Sequence, residues 1–102
     1  MKEIIVKDGH DIILTRTPVG AHANVPHRLV CHSPTGFEWG YGGSGPADLA
    51  LNILTVFVDD DSARGLHQSF KWEFIATMAH EGGVIKAQAI IEWIEANIKS
   101  IL

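Results

Sequence analysis

Five of the ten glycines in this 102-residue chain fall within ten positions, Gly36 to Gly45, and the hydrophobic period changes at the same place. Before that point the apolar residues alternate or sit in short β-branched runs; from Pro46 onward they recur about every 3.6 residues. A single switch of this kind specifies a sheet followed by helices, with glycine supplying the conformational freedom where the two meet. The expected architecture is an α+β domain. An antiparallel sheet of about four strands, arranged as two hairpins in the first 41 residues, is followed by three helices packed on it.

The first hairpin is read from Ile4-Ile5-Val6 and Ile12-Ile13-Leu14, which flank the turn-forming pair Asp8-Gly9. Residues 17–26 (TPVGAHANVP) carry two prolines and no periodicity, and read as a surface loop. The second hairpin pairs Arg28 to His32 with Phe37 to Tyr41 across Ser33-Pro34-Thr35-Gly36. Alternation there places the Phe37, Trp39 and Tyr41 rings on one face. Three helices are predicted: Pro46 to about Val58, about Ala63 or Leu66 to Ala79, and about Lys86 to Ser100. The first is apolar on most of its circumference, with Asp48, Asn52 and Thr55 as its exposed polar residues, so it is the expected central helix. Ser44 or Gly45 would cap it, with Asp48 in its first turn. The acidic block Asp59-Asp60-Asp61 ends it and opens the next segment.

Composition excludes several classes. The chain is 46% apolar and 20% charged, and its 12 acidic residues against eight Lys and Arg give a net charge of −4. That is the make-up of one ordinary globular domain, expected to span residues 1–102. No apolar run approaches the roughly 20 residues of a membrane span, and the first eight residues are too short an apolar stretch for a signal peptide. The acidic balance argues against a nucleic-acid binder that works by phosphate neutralisation. Cys31, alone in the chain, can form no internal disulfide, which fits a cytoplasmic setting.

Candidate chemistry concentrates at the glycine junction. A strand, a glycine loop and a helix in that order can converge backbone N–H groups on an anion. Gly42-Gly43-Ser44-Gly45-Pro46 nevertheless matches neither the Walker nor the dinucleotide pattern, lacks a following Lys or Arg, and loses one N–H to Pro46. Ser44 is not in a Gly-x-Ser-x-Gly elbow and reads as a cap. His22, His27, Cys31 and His32 lack structural-zinc spacing, and the six histidines read as exposed groups that charge together at low pH. Cys31 reads as a small core residue. The aspartates of 59–61 lack a calcium-loop pattern and read as a solvated acidic loop. Trp72 and Trp93 lie at the edges of their helical stripes, where a ring left uncovered marks a contact face.

The octet Trp39-Gly40-Tyr41-Gly42-Gly43-Ser44-Gly45-Pro46, preceded by Gly36-Phe37-Glu38 and followed by Leu49-Ala50-Leu51 and Ile53-Leu54, resembles the signature of an uncharacterised small domain family of bacterial, phage and plasmid genomes. Phe70-Lys71 and Ile91-Glu92-Trp93-Ile94 resemble its downstream markers, so the resemblance covers about residues 28–95. It carries no catalytic residue across and implies an accessory protein of mobile elements. The resulting expectation is a non-enzymatic, acidic protein-binding or modulator module acting on a host or defence protein. Asp59, Asp60, Asp61, Trp72 and Trp93 are its partner-binding residues, with no catalytic group, metal or cofactor assigned. A small-molecule or phosphate-binding domain, or a small enzyme, is the alternative, with Tyr41, Gly42, Gly43, Ser44 and Gly45 as the ligand site. A protein partner is expected, homo-oligomerisation is left open, and neither nucleic acid nor membrane is an expected partner.

Overall fold

The computed structural model describes residues 4–33 and 36–98. The central residues of the predicted 33–36 turn and the end of the third predicted helix lie outside them. Among the described residues the fold is α+β, with three strands and three helices. Strands β1 (Ile12–Thr17), β2 (Gly20–Ala23) and β3 (Gly82–Ile85) form an antiparallel sheet in the order β2-β1-β3. Helices α1 (Ser44–Leu54), α2 (Asp60–Phe70) and α3 (Ala87–Asn97) cover it. Helix α2 runs directly into a π-helical turn, Lys71–Ile75, whose wider pitch is marked by the Ala76 N–H donating to the Lys71 carbonyl at 2.8 Å.

The sheet corrects the sequence reading. Its hairpin lies one strand later than predicted, because β1 pairs with β2 across Pro18-Val19. Pro18 sits in the turn, outside the ladder, where its missing N–H costs nothing. Residues 4–6 are not a strand. The Lys7 N–H donates to the Phe57 carbonyl at 2.7 Å, and Ile4 and Val6 pack against the core. Gly9 does adopt a positive φ of 58°, but the bend carries the chain past Phe57, whose ring fills the space a Cβ would need. The other edge of β1 is therefore free for β3, which pairs Ile12 with Ile85 and comes from the segment between the second and third helices. Neither 28–32 nor 37–41 is a strand, so Phe37, Trp39 and Tyr41 do not share a face: Trp39 is buried and Tyr41 is exposed.

Helix α1 is the core of the molecule, since every residue from Gly45 to Leu54 is buried. Its apolar side chains share one buried core with Ile12, Leu14 and Ile85 of the sheet, Leu66 and Phe70 of α2, and Ile90 and Ile94 of α3. Asp48 and Asn52 are fully buried rather than exposed. One helical turn apart, they project from the same face, and they replace the ladder that residues 28–32 were expected to form. The Asn52 side-chain oxygen accepts from the Arg28 and Leu29 N–H groups at 2.9 and 2.8 Å, and its amide donates to the Leu29 carbonyl at 2.9 Å. The Asp48 carboxylate accepts from the N–H groups of Cys31, His32 and Ser33 at 3.3, 2.9 and 3.0 Å and from the His27 ring at 2.9 Å. Burial pushes the Asp48 pKa up, and these four donors outweigh it, leaving the carboxyl below its ordinary value. Cys31, carried on this irregular segment, is exposed instead of core.

Candidate functional site

The glycine junction is assembled by contacts that no local pattern announces. Glu38 lies beside Arg16 of β1, whose guanidinium donates to both carboxylate oxygens at 3.1 and 2.8 Å and stacks 4.7 Å from the centre of the Trp39 ring. The His80 carbonyl accepts from both Arg16 Nε and Trp39 Nε1, at 2.7 and 3.0 Å. Hydrogen bonding to Arg16 holds the Glu38 pKa down against the opposing effect of burial. The Gly40 N–H then docks on the Ile75 carbonyl at 3.0 Å, at the end of the π-helical turn. Gly40 has a φ of 88°, a left-handed bend that favours glycine. Strand β1, the π-helical turn and the segment before β3 thus fix residues 38–40 from three sides.

The next residues carry the aromatic feature. Gly42 lies so close under the Trp72 indole that a Cβ would overlap the ring, and Gly43 stands in the same relation to the Tyr41 ring. The outer faces of both rings are open: Tyr41 is 52% exposed and Trp72 59%. Lys71 is buried beside Trp72, with its ammonium 3.2 Å from the Gly42 carbonyl and 4.4 Å from the centre of the Trp72 ring. This is the cation missing from the local sequence, supplied from about 30 residues downstream and bound to a carbonyl.

Ser44 and Gly45 face the other way, onto a cleft of about 340 Å³ that Ser33, Glu38 and Tyr41 also line. The only charged residue lining it among the described residues is Glu38. The N-cap of α1 is Gly43, with no side-chain cap, so Ser44 is the first helical residue and not the cap; Asp48 falls in the second turn. The Ala47 N–H is spent on the Gly43 carbonyl at 3.1 Å. The small-ligand residues of the sequence reading therefore divide, with Gly42 and Gly43 half-buried against the rings and Ser44 and Gly45 beside a cleft that Tyr41 also lines.

The residues expected to bind a partner are not gathered in one place. Asp59 is the N-cap of α2 and accepts from the Ser62 N–H at 3.1 Å. Asp60 binds Arg28 through both oxygens, which lowers its pKa, and Asp61 lies 4.0 Å from Arg64. The acidic block thus starts a helix at the end where carboxylates are favourable. Trp72 is about 18 Å further along the same helical axis. Trp93 is half-buried, edge-on to Phe70 and Phe74 with ring centres 5.3 and 6.1 Å away. Trp72 instead lies against Gly42, the residue after Tyr41, a contact the sequence reading missed because it depends on the long-range docking of Gly40 and Lys71.

Among the described residues no three His, Cys, Asp or Glu side chains converge as a metal site, and no helix is long and apolar enough to cross a membrane. The histidines are not uniformly exposed: His67 is buried and faces His32.

A small α+β domain built around a glycine junction under two open rings is the class that fold and site define. The chain belongs to the family of unknown function DUF6166, whose model matches residues 5–96. Comparison with curated proteins and with solved structures finds no match.

Proposed function

We propose that this protein is a non-enzymatic protein-binding module that meets its partner through the Tyr41 and Trp72 rings. One observation carries the reading: two large aromatic side chains, each more than half exposed, rest on successive glycines just beyond a segment, residues 38–40, that is fixed from three sides. Rings of this kind supply a large contact area at little entropic cost, and binding hot spots are enriched in Trp and Tyr. Asp61, its side chain 82% exposed at the far end of α2, adds negative charge that would speed encounter with a basic surface. The setting proposed from the signature is an accessory protein of mobile elements acting on a host or defence protein.

Affinity capture from a bacterial host lysate, quantified by mass spectrometry, tests this reading. Tyr41→Ala with Trp72→Ala is expected to lose the captured protein, and Asp61→Lys to retain it. Equal capture by the aromatic variant would contradict the assignment.

The cleft beside Ser44 and Gly45 supports a second reading, a small-molecule site. With Glu38 on its wall and no Lys or Arg among the described residues that line it, the cleft favours a neutral or cationic ligand over phosphate. Amide shifts at Ser44 and Gly45 on adding phosphate, with saturation, would reverse that preference.

A further inference from the structure

We propose that His32 and His67 form a two-imidazole binding site for a borderline divalent transition-metal ion such as Cu2+ or Zn2+. The two Nε2 atoms are 3.1 Å apart, and the ring planes are inclined by 28°. His67 donates its Nδ1–H to the Arg64 carbonyl at 2.7 Å, which fixes the neutral tautomer with its lone pair on Nε2. Backbone anchoring through the second ring nitrogen is how metal-ligating histidines are oriented. Two nitrogens bound to one tetrahedral ion at about 2.0–2.1 Å stand about 3.3 Å apart, so a slight opening of the pair admits the ion.

The surrounding charges are mixed: burial and the Lys71 ammonium oppose positive charge at His67, and the Asp48 carboxylate favours it. Asp48 holds the His32 backbone N–H at 2.9 Å and brings a carboxylate behind the site. The Gln68 amide nitrogen lies 3.3 Å from His67 Nε2; half a turn of that amide presents its oxygen instead. His32 is exposed, which leaves an approach for the ion and room for water to complete the shell. On binding, the ion takes the place of the His32 Nε2 proton, which passes to Nδ1 through solvent, so both imidazoles remain neutral. Imidazole suits zinc and copper alike, so the donor set defines the ion's class and not its identity. The partner of His32 lies on α2, beyond the reach of any local spacing rule.

The test is titration of the full-length, metal-free chain with Cu2+, read by electron paramagnetic resonance. One equivalent bound through two imidazole nitrogens is the expected result. His32→Asn and His67→Gln should each weaken that equivalent by at least about tenfold. A triple control, His10→Gln, His22→Gln and His80→Gln, should leave it unchanged. If His67→Gln fails to fold, as circular dichroism would show, the exposed His32 carries the comparison. No saturable binding, unchanged affinity in His32→Asn, or loss of the first equivalent in the triple control would each overturn the assignment.

Discussion

Residues 27–33 and residues 36–43 contain the strand-like sequences 28–32 and 37–41, and neither forms a strand, yet they are held in opposite ways. The first segment turns its polar backbone inward onto Asp48 and Asn52, two buried side chains of α1. The second is clamped from outside its own backbone by Arg16, the Ile75 carbonyl and Lys71, and it leaves two rings facing solvent. Satisfied buried polar networks specify a unique arrangement. Exposed aromatic rings are available to something else. The contrast separates a segment built for stability from one built for contact, and substitutions in the two should behave differently.

The largest effect is expected inside α1. Asp48→Asn keeps the shape but turns an amide donor toward backbone N–H groups and His27, leaving buried donors unpaired. A loss of about 3 kcal/mol in chemical denaturation is expected. Acid should act on the same group. Asp48 and Glu38 both have depressed folded pKa values, so the folded state holds fewer protons than the unfolded one. Their stabilisation is present above the ordinary carboxylate range and is lost as the pH falls from about 5 through the depressed values. Melting temperature against pH should therefore drop on the acid side, and Asp48→Asn should flatten that drop.

At the junction the effects on stability are smaller. Glu38→Gln weakens the paired hydrogen bonds with Arg16 and should cost about 1 kcal/mol, reduced by its partial exposure. Gly42→Ala drives a Cβ into the Trp72 ring, whose open outer face lets it swing away. A stability change of about 1 kcal/mol is expected, with a shift in tryptophan fluorescence as the ring leaves the glycine. Trp72→Ala should change stability least, by about 0.5–1 kcal/mol from the lost ring contact with Lys71, and partner capture most. If Trp72→Ala instead destabilises as much as Asp48→Asn, the ring is a structural support and the contrast fails.

The same contrast shows what was legible in the sequence. Helix periods were readable because Leu49 to Leu54 and Ile90 to Ile94 bury surfaces whose spacing is local. Gly9 was readable as a bend, and Asp59 to Asp61 as a boundary. The strands were misassigned where side chains do the work of a ladder. Asp48 and Asn52 look like the polar residues of a helix until the segment they bind is known, and β3 hides in Gly82 to Ile85, four residues with two glycines. The candidate site was legible in half. Tyr41 and the glycines stand out as a motif, whereas Trp72 and Lys71 reach it only through a π-helical turn that brings them over Gly42.

The central claim, that the two open rings are the contact surface, is met most directly by amide hydrogen exchange on the chain alone and in its captured complex. The account predicts new protection at residues 40–45 and 71–75, with residues 27–33 already protected in both states and unchanged. Protection gained around Asp59 to Arg64, with the junction unaltered, would contradict it.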